Sequence, residues 1–222
     1  MSIQILGLSG AKGSGKDSFA NVLVRDHGFV RIGFADSLYQ EVAHAYSTTV
    51  EELGRRDLKE TAQPRFAPAM CKDSDFVEVL RELETRAGRR FDMGIPMSPR
   101  AVLQLWGAEY RRKQDPLYWL HQVQTKISAL PRSTPGIVIT DVRYRNEATL
   151  IHQMGGQILR VVRDVIDQAM AQARERKEAW AVHDSETEML DWKFDGYIDN
   201  NGSLEDLVSQ VSVALRPDSM AA

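Results

Sequence analysis

The sequence predicts an α/β fold, a central parallel sheet of about five strands flanked by helices. Three observations predict it. Short apolar strands alternate with helical patterns along the chain. Residues 136–140 are almost wholly apolar and β-branched, the composition of a strand covered on both faces. A glycine-rich turn joins the first strand to the first helix.

Residues 3–8 read as the first strand, and 15–26 as a helix that turns Phe19, Val22 and Leu23 inward. A second strand spans 29–32, and a helix spans 35–46. After the third strand, helix 145–154 carries Leu150, Ile151 and Met154 on one face and stops at Gly155-Gly156. Strand 157–162 and a short strand at 196–198 follow. The last helix starts after Asn200-Asn201-Gly202, with Ser203 as its N-cap and Leu204, Leu207, Val208 and Val211 as its buried stripe. In such a sheet ligands sit beyond the carboxyl ends of the strands, so the glycine-rich turn and Asp141 are expected to share one crevice.

Far more chain lies between the second and third strands than a crossover needs, and it reads as mostly helical. An acceptor site would be built here. Residues 74–87 place Phe76, Val79, Leu80 and Leu83 on one face and end at Gly88. Ser98-Pro99 is a capping pair that starts a helix running to about Arg112, with Arg100, Gln104 and Arg111 roughly along one side. Asp115-Pro116 begins another helix, carrying Tyr118, Trp119 and Val123. Trp119 is either core or a surface on which a base stacks.

The turn itself fits a phosphate cradle: Gly10, four residues, Gly15, Lys16. Glycines let successive backbone N–H groups face an anion, the helix start adds its positive dipole end, and Lys16 reaches the outer phosphates. Where Ser or Thr normally follows the lysine there is Asp17, with Ser18 next. A carboxylate there either approaches phosphate through a divalent cation or points away as a first-turn charge favoured by the dipole.

At 222 residues the chain fits one domain with a proper core. Its formal net charge of -3 gives no basic surface for a long nucleic acid, and a small phosphorylated ligand suits it better. The single cysteine, Cys71, excludes an intramolecular disulfide and a multi-cysteine zinc site, as expected in a reducing cytosol. No leader-like or membrane-spanning stretch, repeat or low-complexity linker is present, so a soluble, intracellular protein is expected.

Asp141 is followed by Val142 and Arg143, without a second carboxylate to activate water, and the Asn-Lys-X-Asp tetrad of switch GTPases does not occur. Hydrolysis loses ground to phosphoryl transfer. An acceptor that is itself a phosphate monoester needs no strong base, since its second pKa is near ~6. It needs cations, because two anions must be held in line. The chain has twenty arginines against eight lysines, and Arg100, Arg111, Arg143, Arg163, Arg174 and Arg176 are candidates.

Ser-Gly-Ala-Lys-Gly-Ser-Gly-Lys-Asp-Ser at 9 to 18, Lys59-Glu60, Arg100 with Leu-Gln-Leu-Trp-Gly-Ala-Glu at 103 to 109, Asp115-Pro116 with Trp119, Thr-Asp-Val-Arg-Tyr-Arg-Asn-Glu at 140 to 147, His183 to Glu186, and Asn-Asn-Gly-Ser-Leu-Glu-Asp-Leu at 200 to 207 occur in this order. Together they resemble the bacteriophage-type deoxynucleoside monophosphate kinases, over nearly the whole chain. More weakly, the chain is similar to the animal-type phosphomevalonate kinases.

The first resemblance implies a single phosphate-loop kinase domain over 1–222, with a helical acceptor-binding region at about 35–130 and a lid at about 164–183. It implies ATP, Mg2+ and a deoxynucleoside 5'-monophosphate as ligands, no nucleic acid polymer or membrane as partner, and a cytoplasmic setting, the host's if phage-encoded. A homodimer is compatible with it. It puts Lys12, Gly13, Ser14, Gly15, Lys16, Asp17 and Ser18 around the ATP phosphates, and Lys59, Arg100 and Arg143 on the acceptor phosphate. Gln104, Asn146 and Glu147 would face the acceptor's base or sugar. Lys16 and Arg143 would be catalytic together with Asp141, which either orients magnesium-bound water or holds Arg143. Asp17 and Ser18 are the metal candidates. The 164–183 segment is a lid or a solvated amphipathic helix, His183 a structural residue near its hinge, and 200–203 either borders the adenine or caps the last helix. A small-metabolite kinase and a non-catalytic ATP-binding regulatory module are the alternatives to a deoxynucleotide kinase.

Overall fold

The structure, a computed structural model, describes residues 3–178, 181, 182 and 184–215. His183 and the last residues of the expected lid, 179 and 180, lie outside the described residues. Five parallel strands form one sheet in the order β2-β3-β1-β4-β5: β1 (Gln4–Ser9), β2 (Val30–Ile32), β3 (Gly136–Ile139), β4 (Gln157–Val162) and β5 (Gly196–Asp199). β1 is central, with Leu6 opposite Val138 of β3 and Leu8 opposite Leu159 of β4. Every residue of β3 is buried, which is why its sequence shows no polar alternation.

The helices are α1 (Lys16–His27), α2 (Asp36–Ala45), α3 (Val50–Gly54), α4 (Ser74–Arg86), α5 (Pro99–Gln104), α6 (Tyr118–Ser128), α7 (Arg145–Gln153), α8 (Asp164–Glu175), α9 (Asp184–Thr187) and α10 (Leu204–Ala214). The chain divides into two compact units, Met1–Gly33 with Lys126–Ala222, and Phe34–Thr125.

In the first unit, Phe19 and Leu23 of α1 and Leu207 and Val211 of α10 are buried with Leu6, Leu8, Val138, Leu159 and Ile198 of the sheet. Ser203 caps α10 as its sequence predicts, its Oγ accepting from the Asp206 N–H at 3.2 Å while Asp206 Oδ2 accepts from the Ser203 N–H at 2.8 Å. Leu204 does not join the buried stripe. It is 60% exposed because the first turn of α10 projects beyond the core, which begins at Leu207.

The second unit is helical and has its own core, centred on Phe66, Phe76, Val102, Trp106 and Trp119. Trp119 is a core residue, 4% exposed, with its indole N–H donating to the Gly107 carbonyl at 3.3 Å. The helix expected from Ser98 to Arg112 is regular only through α5; from Leu105 to Arg112 it widens into π-helical turns. The wider turn changes the phase of the side chains, so Arg111 does not continue the line of Arg100 and Gln104. Its guanidinium instead donates to Glu41 at 2.7 Å and stands over the rings of Tyr110 (4.3 Å), Tyr118 (5.1 Å) and Trp106 (5.7 Å). Glu41 also accepts from Trp106 Nε1 at 2.9 Å and from the Tyr118 hydroxyl at 2.7 Å, which makes Arg111 part of the unit's packing.

Candidate functional site

At the carboxyl end of β1 the chain turns through residues 10–15 before α1 begins at Lys16. Gly10, Gly13 and Gly15 have φ of +137°, +89° and +105°, backbone that side chains resist. Space demands glycine at two of them: a Cβ on Gly10 would stand 2.5 Å from the Val161 carbonyl oxygen, and one on Gly15 would stand 2.1 Å from Asn200 Nδ2. Ser14 N–H donates to the Ala11 carbonyl at 3.1 Å, closing the loop. Ser14 Oγ is buried and has no hydrogen-bond partner among the described residues, a polar atom the protein alone leaves unsatisfied. Lys12 and Gly13 are exposed.

Lys16 folds back over this loop, its ammonium donating to the carbonyls of Gly10 (2.7 Å) and Ala11 (2.9 Å). Burial lowers its pKa to about 8, helped by the Arg143 charge and opposed by Glu186, Asp17 and Asp141. Arg143 lies in the turn between β3 and α7. Its guanidinium pairs with the Glu186 carboxylate and donates to the Ser185 carbonyl at 3.5 Å. Arg174 of α8 donates from Nη2 to the Glu186 carbonyl at 3.3 Å, while its Nε is buried and has no hydrogen-bond partner among the described residues. A small cavity here is lined by Ser9, Gly10, Arg143, Arg160, Arg174 and Glu186.

Glu147, expected toward the acceptor's base or sugar, is 2% exposed, and its carboxylate accepts from the backbone N–H groups of Arg143 (2.8 Å) and Tyr144 (3.1 Å). It caps α7 and fixes the backbone that carries Arg143. Asn146 is exposed and its Oδ1 accepts from the Glu147 N–H at 2.9 Å. Asp141 lies just beyond β3, close enough for its charge to act on Lys16. Asp17 is a first-turn charge of α1, with its side chain 71% exposed and paired with Arg31 of β2; Ser18 is exposed. Among the described residues no group of three or more His, Cys, Asp and Glu side chains could hold a metal.

In the second unit Lys59 and Arg100 come together. Arg100 N–H donates to the Lys59 carbonyl at 3.0 Å, and Arg100 Nε donates to Glu60 Oε1 at 3.0 Å. The Lys59 ammonium donates to the Tyr39 hydroxyl and lies 5.1 Å from that ring's centroid. Gln104, on the same helix as Arg100, is exposed.

In the first unit, three contributors to the surroundings of Lys16 and Arg143 lie outside the roles expected from the sequence. Arg160 leaves a visible signal, a charged residue inside the otherwise apolar run of β4, in register with Ser9. Glu186 and Asn200 fall in segments that carry the resemblance, but their pairings with Arg143 and the loop leave no local signal, because each joins distant parts of the chain.

A parallel sheet of this strand order, with a glycine-rich loop and lysine between β1 and α1, defines a phosphate-loop α/β protein. No protein-family model matches the chain. Over 219 aligned residues it is 26% identical to a protein of Acanthamoeba polyphaga mimivirus named "Putative deoxynucleotide monophosphate kinase", an alignment that covers 93% of each chain. Among solved structures it is similar to TT1252 of Thermus thermophilus, with a TM-score of 0.46 and 19% identity over 97% of this chain and 100% of that one. It is also similar to dephospho-CoA kinase of Campylobacter jejuni, with a TM-score of 0.44 and 11% identity over 96% and 95% of the two chains.

Proposed function

We propose that this protein is an ATP-dependent kinase that transfers the γ-phosphoryl group of ATP to a deoxynucleoside 5'-monophosphate, giving ADP and the diphosphate. The observation that carries the reading is the gathering of Lys16, Arg143 and Arg174 around one glycine-rich loop, three cations suited to a phosphate ligand. The name of the mimivirus relative supports the acceptor class. The loop fits a polyphosphate: its glycines leave the backbone bare, and its buried Ser14 hydroxyl lacks a protein partner among the described residues.

In this reading residues 12–18 surround the ATP phosphates, and the Lys16 ammonium leaves the Gly10 and Ala11 carbonyls for the phosphate oxygens. An acceptor phosphate oxygen attacks the γ-phosphorus as the bond to the bridging oxygen breaks, and ADP departs. That oxygen is already anionic at neutral pH, so no side chain has to remove a proton. Lys59, Arg100 and Arg143 bind the acceptor phosphate, and Lys16 and Arg143 stabilise the charge spreading over the transferred group. Magnesium, when bound, would neutralise phosphate charge. Asp17 and Ser18 are the residues that would hold it, mainly through phosphate oxygens and with Asp17 released from Arg31, while Asp141 would orient magnesium-bound water or hold Arg143.

Incubation with γ-labelled ATP, magnesium and a deoxynucleoside monophosphate tests the reading. Label is expected in the diphosphate; label released only as inorganic phosphate, or retained in ATP, would overturn it.

A further inference from the structure

The end of β5 touches the phosphate loop through one side chain. Asn200 follows β5 directly, and its backbone N–H donates to the Val162 carbonyl at 2.8 Å. The residue before it is fixed to α10 by Gln210, which donates from Nε2 to the Asp199 carbonyl at 2.6 Å and accepts from the Asp199 N–H at 2.7 Å. From this mount Asn200 Nδ2 donates to the Ser14 carbonyl at 2.7 Å. A carbonyl only accepts, so the amide nitrogen, not its oxygen, faces the loop. The same nitrogen occupies the space where a Gly15 Cβ would stand, 2.1 Å away.

In a trans peptide the C=O and the following N–H point in opposite directions. A Ser14 carbonyl pinned on Asn200 therefore turns the Gly15 N–H away from Asn200. The opposite orientation, open to a peptide flanked by glycine, would present the carbonyl oxygen to an anion and repel it. We propose that Asn200 is a positioning residue for the phosphate loop, holding the Ser14–Gly15 peptide so that the Gly15 N–H faces the polyphosphate of the nucleotide. This role rests on the nucleotide-binding part of the proposed function and not on the identity of the acceptor.

The test compares wild type with Asn200→Ala, Asn200→Asp and Asn200→Ser. The aspartate is isosteric but sets a carboxylate oxygen against the Ser14 carbonyl, and the serine keeps a donor on a shorter side chain. Binding of inorganic tripolyphosphate by calorimetry is expected to weaken about 10-fold in the alanine variant, more in the aspartate variant and less in the serine variant. The KM for ATP should rise with it while the KM for the acceptor stays fixed. Unchanged tripolyphosphate affinity in the variants would overturn the role. So would equal losses for ATP and acceptor, which mark a general structural effect. If the alanine and aspartate variants do not fold, the serine variant against wild type decides the same question. A wild-type protein that binds tripolyphosphate but transfers no phosphoryl group would remove the kinase reading, while weakened binding in the variants would still support the role of Asn200.

Discussion

Glu186 and Arg143 form an ion pair beside the phosphate loop, with their side chains 15% and 36% exposed. Arg174 Nη2 donates to the backbone carbonyl of the same residue, so Glu186 contacts both arginines. An incoming phosphate must displace this carboxylate from Arg143 or share the guanidinium with it. Glu186→Gln removes the competing charge and keeps an acceptor. The dissociation constant of a deoxynucleoside monophosphate is expected to fall about 3- to 10-fold by calorimetry, the worth of one partly exposed ion pair. Weaker binding would show that Glu186 orients Arg143 for the phosphate.

Lys16 links the loop's chemistry to pH. Its pKa of about 8 in the folded protein lies below its ordinary value of 10.5, so between these values the unfolded chain holds more protons and stability rises with pH. Below pH 8 the charged lysine is a cost to the ligand-free fold. Relative to Lys16→Met, whose side chain does not titrate, the wild type should therefore gain on the order of 3 kcal/mol of stability as pH rises from 8 toward 10.5. Thermal denaturation across this range checks the sign. ATP affinity of the wild type should fall as pH rises through 8, since the anion binds the charged form.

Arg143 has its backbone fixed by Glu147 and its guanidinium at the cavity, the arrangement of a group that acts on charge developing during transfer. Arg143→Ala is expected to lower kcat/KM about 10³-fold while the ATP dissociation constant changes little. Parallel loss of both, measured by steady-state kinetics and calorimetry, would assign Arg143 to ATP binding or folding.

Glu41 predicts a contrast within the helical unit. Glu41→Ala leaves Arg111, Trp106 and the Tyr118 hydroxyl without their shared acceptor and should cost about 3 kcal/mol, a melting temperature lower by roughly 6–12 °C. Arg100→Ala, which breaks a half-exposed pair with Glu60, should change the melting temperature by less than about 3 °C.

The sheet was legible because its signals are local. Residues 136–139 carry their burial in their composition, and Gly10, Gly15 and Lys16 carry the loop in their spacing. What escaped depends on distant pairings. Glu41 meets partners 65 to 77 residues away, and nothing near Glu41 marks it as their acceptor. The widening after Gln104 shifts the helical phase, so a regular wheel misplaces Arg111. Gly15 reads as a turn glycine, but half the reason for it is Asn200, which lies far along the chain. Leu204 fits the apolar stripe by spacing and still faces solvent, because periodicity does not say where the core ends.

The most direct test is ADP release with ATP and magnesium against the four common deoxynucleoside monophosphates, their ribonucleotide counterparts, phosphomevalonate and a control without acceptor. ADP formation that depends on deoxynucleoside monophosphates is the predicted result. Turnover only with phosphomevalonate, or no acceptor-dependent ADP at all, would contradict the assignment.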